Sequence, residues 1–267
     1  MNKEQSMTKK SPGVSSFRRI KEFLLEVSGI TLFAGRFFKE VIFPPYEFNE
    51  LIHQCYLIGY RSLSLVGITG FIMGLVLTIQ AKPTMAEFGA ESWIPGMVAV
   101  SLIREIGPVI TALICAGKIG SGIGAELGSM KVTEQIDAME VSGTNPFNYL
   151  VVTRVLAATL MVPILAILSE TIGLAGSYIG VNISGKVSLH FFFTQVFASL
   201  DFIDVYPAII KTVFFGFTIG IVGCYKGYTS NKGTEGVGAA ANSAVVIASL
   251  LVFVIDMIAV QITSIIV

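Results

Sequence analysis

Residues 150–181 read LVVTRVLAATLMVPILAILSETIGLAGSYIGV and place the chain in a membrane. Only two side chains in this stretch are charged, Arg154 and Glu170. An α-helix needs about 20 predominantly apolar residues to cross the roughly 30 Å hydrocarbon core of a bilayer. This stretch is long enough to tilt or to project from the bilayer, and Pro163 inside it predicts a kink. It therefore predicts a membrane-spanning helix.

Further apolar runs of membrane-spanning length lie near 62–81, 94–117, 205–225 and 238–265. The composition agrees, because 53% of the 267 residues are hydrophobic and only 13% are charged, against about 25% in soluble domains. The mean hydropathy is +0.76. Alternating strand patterns are absent, and in lipid each helix satisfies its own backbone polar groups. The sequence thus predicts an all-α integral membrane protein whose residues 46–267 form a bundle of five transmembrane helices.

The region before the first span divides into a polar tail, 1–15, and an amphipathic segment, 16–45. In the amphipathic segment, apolar residues recur at three- and four-residue spacing among charged residues, as at Leu24, Val27, Phe38 and Val41. This pattern is typical of a helix lying in the membrane interface, and Pro44 and Pro45 would end it. The alternative is an ordinary amphipathic helix packed on the bundle.

The distribution of basic residues predicts the orientation. With a cytoplasmic N-terminus, fourteen of the 18 lysines and arginines lie on the inner side, in residues 1–61, 118–154 and 226–232. The outer connectors would then hold only Lys82 and Lys186. The positive-inside rule therefore predicts a cytoplasmic N-terminus and a periplasmic C-terminus.

Several functional classes are excluded by what the sequence lacks. The net charge is zero, so nothing indicates nucleic-acid binding. The three cysteines and two histidines are isolated, which predicts no disulfide, no metal site and no cofactor in this chain. No G-x-x-x-x-G-K-[ST] motif is present, so any ATP must be bound by a separate subunit. We identify no catalytic residue.

Charged residues interrupt the apolar runs at four positions that sum to zero charge: Arg104, Glu105, Lys211 and Asp256. Glu170 is a further intramembrane acid. A charge at the bilayer centre costs at least about 2.5–3.5 kcal/mol, so each needs a partner or a water-filled cavity. Two interpretations stay open: an ion network that holds the helices in register, or charges that exchange partners during transport.

Glycines recur at four-residue steps in the spans, as at Gly70 and Gly74 and at Gly176 and Gly180. Such faces let helices approach closely. Either the contacts lie within one chain, or they form a self-association surface.

The polar stretch TEQIDAMEVSGTNP, 133–146, separates two spans. Thr133 is a fair N-cap and Gly143 a natural stop, so the stretch predicts a short helix near 134–142. Glu134, Asp137 and Glu140 would lie on one arc, with Ile136 and Met139 opposite. An acidic face backed by an apolar face is typical of a helix set into a groove on a cytoplasmic partner. A solvated surface helix is the alternative.

Two stretches, LIREIGPVITALICAGKIGSGIGAELGSMKVTEQIDAMEVSGTNP at 102–146 and KGYTSNKGTEGVGAAANSAVVIASLLVFVIDMI at 226–258, resemble the signature regions of the MlaE/YrbE permease family. These are membrane subunits of lipid-transporting ABC systems associated with MCE proteins. The resemblance implies a homodimeric permease in the bacterial inner membrane that moves phospholipid between that membrane and a periplasmic MCE-type carrier, and so maintains outer-membrane lipid asymmetry. It further implies a cytoplasmic ABC ATPase that binds the helix near 134–142, including Met139, and a small STAS-type regulatory protein.

A pocket for acyl chains is predicted at the outer end of the first span, where Leu77, Met85 and Phe88 supply adaptable apolar walls. Pro83 predicts that the segment is not a regular helix throughout. The alternative for Phe88 is bilayer anchoring. For the whole chain, the alternative to an ABC permease is a proton- or ion-coupled secondary transporter that uses the intramembrane charges.

Overall fold

The computed structural model describes residues 12–44, 46–183, 185, 187–230 and 233–266, without the side chains of 12–20, 22, 23 and 266. The described backbone is helical and contains no strand. We number the helices in chain order: α1 Pro12–Glu40, α2 Phe48–Glu87, α3 Glu91–Val132, α4 Gln135–Val141, α5 Phe147–Asn182, α6 Leu189–Ser199, α7 Phe202–Tyr228 and α8 Thr234–Ile266. Most of the predicted polar tail lies outside the described residues.

Five of these helices, α2, α3, α5, α7 and α8, are long and apolar enough to cross a membrane. The prediction of an all-α membrane protein with five spans and an N-terminal helix is confirmed. α5 is the most buried of the five and packs between α2 and α7, while α8 packs on α7 and on the last part of α3. α2 and α8 are the least buried, so much of their apolar surface faces outward.

The helices are longer than the apolar runs, and the differences are largest for α2 and α3. α3 continues past residue 117 to Val132, so the polar connector is only 133–146. Gly120, Gly124 and Gly128 allow this, because α7 and α8 lie against this face of α3. A Cβ on Gly227 of α7, for example, would be 2.9 Å from the carbonyl oxygen of Gly124. The stretch is polar by composition, yet it is a packed helix.

Two local predictions about helix continuity were wrong. Pro83 does not interrupt α2, which continues to Glu87. Pro83 is exposed in the last turns of the helix, where the missing N–H costs one hydrogen bond but the chain does not bend away. Residues 189–199, predicted as part of a connector, form α6, whose N-cap Ser188 hydroxyl accepts a hydrogen bond from the Phe191 N–H at 3.3 Å.

α1 lies at the end of the bundle that carries the connector 133–146, which we call the connector end. It covers Pro12–Glu40 instead of the predicted 16–45. Phe33 of α1 makes edge contacts with Phe147 and Tyr225, and the guanidinium of Arg36 lies 4.1 Å from the centre of the Phe147 ring. At the opposite end, α6 covers a smaller core formed by Ile94, Val98 and Phe192.

The contact between α2 and α5 is made backbone to backbone. A Cβ on Gly74 would lie only 1.8 Å from the carbonyl oxygen of Gly173, and one on Gly70 would lie 2.4 Å from the Ser169 carbonyl oxygen. Nearby, the hydroxyls of Thr78 and Ser177 form a hydrogen bond of 2.7 Å across the contact. The glycine repeats of these helices thus serve close packing within one chain.

We expect Gly74→Ala to separate α2 from α5 and to destabilise the protein by roughly 1–3 kcal/mol or more, the usual cost of overpacking. Thermal melts of the purified protein in detergent would measure the loss. Gly122→Ala on α3 is the matched control, because a Cβ there has nothing within 4 Å. Equal melting temperatures for the two variants would show that the α2–α5 contact adjusts freely.

Candidate functional site: an intramembrane ion network beside an apolar cavity

Arg104 and Glu105 lie in a π-helical turn of α3, Leu102–Ile106. The cause is Pro108, which has no N–H to donate to the carbonyl of residue 104 and whose ring would collide with that carbonyl in a regular helix. The turn widens, and the Gly107 N–H bonds to the Leu102 carbonyl instead. Such π-bulges occur frequently at functional sites. Here the bulge sets two charged side chains at the middle of a membrane helix.

Lys211 on α7 is the centre of the ion network. Its Nζ lies 2.7 Å from Oε2 of Glu105 on α3 and 2.9 Å from Oδ1 of Asp256 on α8. The Lys211 side chain is only 4% exposed, so its ammonium depends on these two carboxylates for its solvation. One buried lysine therefore joins three membrane helices.

Arg104 extends the network to a residue that the sequence analysis missed. Its Nε lies 3.9 Å from Oε1 of Glu105, and its Nη1 lies 3.4 Å from Oδ1 of Asp204. Asp204 also caps α7, because its Oδ2 accepts a hydrogen bond from the Asp201 N–H in a capping box. The spacing Asp201-x-x-Asp204 was the available signal. With Asp204 included, the network has three acids and two bases. The zero net charge predicted for four residues therefore does not hold for the whole network.

A cavity of about 450 Å³ opens between α7 and α8 next to this network. Its size lies within the range of small-molecule sites. Its walls are almost wholly apolar, with Lys211 at its edge: Ile203, Tyr206, Pro207, Ile210, Phe214, Ile255, Ile258, Ala259, Ile262 and Thr263 complete the lining. We call it the outer cavity. It can take a long apolar group with a charged group close by.

Glu170 lies apart from the ion pairs of the network. It lines a separate cavity of about 220 Å³ between α3, α5 and α7, together with Thr171 and Thr212. Gly107 makes room for it, because a Cβ on Gly107 would lie 2.8 Å from Cγ of Glu170. The π-bulge of α3 therefore also positions this acid.

The three residues of the predicted acyl pocket have different environments. Leu77 and Met85 pack against the smaller core at the opposite end, whereas Phe88 is 78% exposed. The outer cavity is lined by other residues. A lipid pocket at Leu77, Met85 and Phe88 stays a prediction.

The connector contains the short helix that was predicted, as α4, Gln135–Val141. Its N-cap is Glu134, with a φ of 58°, and not Thr133, which instead ends α3. Ile136 is buried, while Asp137 and Glu140 are exposed. Asp137 accepts a hydrogen bond of 2.8 Å from Nζ of Lys131.

The apolar face of α4 continues onto exposed surface. Met139 packs partly against the core, whereas Val141 is 90% exposed. Gly143 has a φ of 80°, which only glycine adopts without strain, and it ends the helix as predicted. The arrangement suits a docking helix, and that role stays a prediction.

Arg154, which the sequence places at the start of the third span, is buried near the start of α5. Another π-turn, Phe147–Val152, precedes it. Nη1 of Arg154 donates to the Leu150 carbonyl at 3.0 Å, and Nη2 lies 2.8 Å from Oε1 of Glu126 on α3. Arg154 thereby ties together the two helices that flank the connector. Periodicity alone did not reveal this, because these contacts appear only in the folded protein.

Comparison with known proteins shows relatives along most of the chain. The family model described as Permease MlaE matches residues 51–262. A probable ABC transporter permease protein of Rickettsia typhi is 40% identical over 237 residues, which are 87% of this chain and 90% of that protein. Another, from Synechocystis sp., is 36% identical over 82% of this chain and 84% of that protein.

A plant protein is also related. The Arabidopsis thaliana protein named TRIGALACTOSYLDIACYLGLYCEROL 1, chloroplastic, is 31% identical over 85% of this chain and 65% of that protein. The protein is of the class of membrane-spanning permease subunits of ABC transporters. Its five membrane helices and the charged network inside them agree with these relatives. Within that class, the chain belongs to the MlaE permease family.

Proposed function

We propose that this permease moves phospholipid between the bacterial inner membrane and a periplasmic MCE-type carrier, and so maintains the lipid asymmetry of the outer membrane. The outer cavity is the observation that carries the proposal. A volume of about 450 Å³ with apolar walls suits an acyl chain, and Lys211, the charged residue in its lining, suits a headgroup. The plant relative is named after a galactolipid, which supports a diacyl lipid as the substrate but does not specify a phospholipid headgroup.

The energy for transport comes, in this proposal, from a separate cytoplasmic ABC ATPase, since the chain has no P-loop. α4 binds that ATPase through Asp137, Glu140 and the exposed Val141. The connector end is cytoplasmic and the C-terminus periplasmic, as the basic residues predict. A small STAS-type protein would then act on the cytoplasmic side.

The exposure of α8, the least buried of the five spans, supports a homodimer. The outer cavity is formed by α7 and α8 of one chain and is open on its outer side, where Ile258 and Ile262 are half exposed. A second copy placed against α8 would close the cavity around a lipid. Ion-coupled transport by the same charges is the alternative, and the relationship to ABC permeases favours the present proposal.

A photo-crosslinker at Ile258 tests the substrate. We expect it to capture phospholipid even after extraction into mild detergent, because detergent disperses bulk lipid but leaves a lipid enclosed in the cavity. Ile79 on α2 is the matched control: it is 45% exposed, against 49% for Ile258, and both lie about two turns from the same end of the bundle. A crosslinker at Phe88 tests the pocket predicted from the sequence in the same experiment.

Mass spectrometry of the adducts decides between cavity lipid and bilayer lipid. Loss of phospholipid capture at both Ile258 and Ile79 on detergent extraction would show that the outer cavity retains no lipid. That result would remove the structural support for a phospholipid substrate.

A further inference from the structure

A second apolar cavity, of about 360 Å³, lies along the same α7–α8 contact but toward the connector end. α1 forms its third wall, with Val27, Ile30 and Ala34. We call it the inner cavity. Phe214 lines the outer cavity and Phe217 the inner cavity, so the two are about one helical turn apart along α7.

The rim of the inner cavity is apolar and outward-facing. Val246 and Leu250 of α8 are 58% and 55% exposed, and Val27 of α1 is 44% exposed. In a membrane protein, such a rim faces the hydrocarbon of the bilayer. Water is a poorer occupant than an acyl chain, because the walls are mainly apolar and the hydroxyls of Thr31 and Thr218 already donate hydrogen bonds to backbone carbonyls.

One charged side chain, Glu26, lines the inner cavity, and its ion-pair partner Lys226 lies next to the lining. Glu26 of α1 forms a salt bridge with Nζ of Lys226 on α7. Both side chains are partly exposed, Glu26 by 31% and Lys226 by 17%. Adjacent positive and negative groups beside an apolar cavity match a molecule that has an apolar chain and a headgroup with both charges.

From this combination we propose that the inner cavity binds a zwitterionic aminophospholipid of the neighbouring leaflet, with an acyl chain between α1, α7 and α8. The headgroup phosphate lies near Lys226 and the ammonium near Glu26, so that the lipid exchanges one ion pair for two charge-assisted contacts. A second copy of the chain is a poorer match, because the exposed residues around Val246 and Leu250 offer no charges to this pair.

The proposal rests on the orientation given under Proposed function, which makes this leaflet the cytoplasmic one. It does not require that the outer cavity binds lipid. If both cavities bind phospholipid, the lipid in the inner cavity lies about one helical turn from the outer cavity, along the same contact between α7 and α8.

The test uses the full-length chain with a photo-crosslinker at Val246, irradiated in bacterial membranes whose main lipids are phosphatidylethanolamine and phosphatidylglycerol. We expect the captured lipid to be enriched about tenfold in phosphatidylethanolamine over phosphatidylglycerol, relative to the membrane, as one added charged hydrogen bond gives. Tyr60 on α2 is the control. It is 65% exposed and lies about three turns from the start of its helix, as Val246 does.

The double variant Glu26→Gln with Lys226→Met removes both charges together, so it leaves no unpaired charge to unfold the protein. In this background we expect lipid capture at Val246 to continue without the headgroup preference. Adducts whose headgroup ratio equals that at Tyr60 would show only bilayer contact. Adducts with a second copy of the chain would show a dimer interface. Either result overturns the proposal, and neither depends on capture at Ile258.

Discussion

Lys211→Ala should lower the unfolding free energy by about 3–5 kcal/mol, because it removes the ion-pair partner of the largely buried Asp256. It also leaves Glu105 with Arg104 alone. Glu105 and Asp256 lie 2.7 and 2.9 Å from the ammonium that the variant removes. With the ammonium gone, two negative charges on α3 and α8 face the same vacant position and repel each other. We expect the contacts of α7 with both helices to loosen and phospholipid transport to be lost. Titration of the purified protein with a denaturing detergent measures the loss of stability.

Lys39→Ala is the control for this loss, because Lys39 is an exposed base in the last turn of α1. Coincident unfolding curves for the two variants would mean that the network contributes no stability.

A neutral version of the network separates structure from transport. Lys211→Met with Glu105→Gln and Asp256→Asn leaves no unpaired charge, so we expect stability to return. Transport by this triple variant would assign the charges to holding the helices in register. Its failure to transport, in a stable protein, would assign them a part in the transport cycle.

Charge reversal on α4, Asp137→Lys with Glu140→Lys, should weaken association with the ATPase by about 2–5 kcal/mol, or roughly 30-fold and upward. Both acids are exposed on the short helix that the connector presents. Glu134 is left unchanged, because its backbone is in the left-handed region and a substitution there tests conformation as well as charge. Binding of the purified ATPase to the permease in detergent or nanodiscs provides the affinity.

The reversal also breaks the hydrogen bond between Lys131 and Asp137, so a control is needed for that contact. Lys131→Ala loses the same bond but keeps both acids, and we expect it to bind the ATPase nearly normally. If Lys131→Ala binds as weakly as the double variant, the defect lies in the fold of the connector. If the double variant binds at the normal affinity, α4 does not dock through its acidic face.

Local composition was sufficient for the class of fold and for most of the charged network. A membrane helix must form its own backbone hydrogen bonds and present apolar side chains to the lipid. About twenty consecutive residues are therefore enough to predict it. For the same reason, a charged residue inside such an apolar run can be recognised from the sequence as one that needs a partner. Arg104, Glu105, Lys211 and Asp256 could therefore be selected before any contact was known, and the structure brings all four together.

Asp204 and Arg154 could not be selected in this way. Asp204 lies at the start of α7 and looks like an ordinary helix cap, and only the bulge in α3 brings Arg104 within 3.4 Å of it. Arg154 lies at the start of a predicted span, but its contacts with Glu126 of α3 and with the Leu150 carbonyl appear only in the folded protein.

The sequence by itself determined the five spans, the N-terminal helix and the short helix of the connector, because each depends on residues that are close together along the chain. Tertiary structure alone decided how far the helices continue and where the cavities lie. α3 extends to Val132 because α7 and α8 shield its polar, glycine-rich part, and both cavities lie along the contact between α7 and α8. Packing between segments far apart in sequence sets these features, because a local pattern of residues does not specify which helix packs against which.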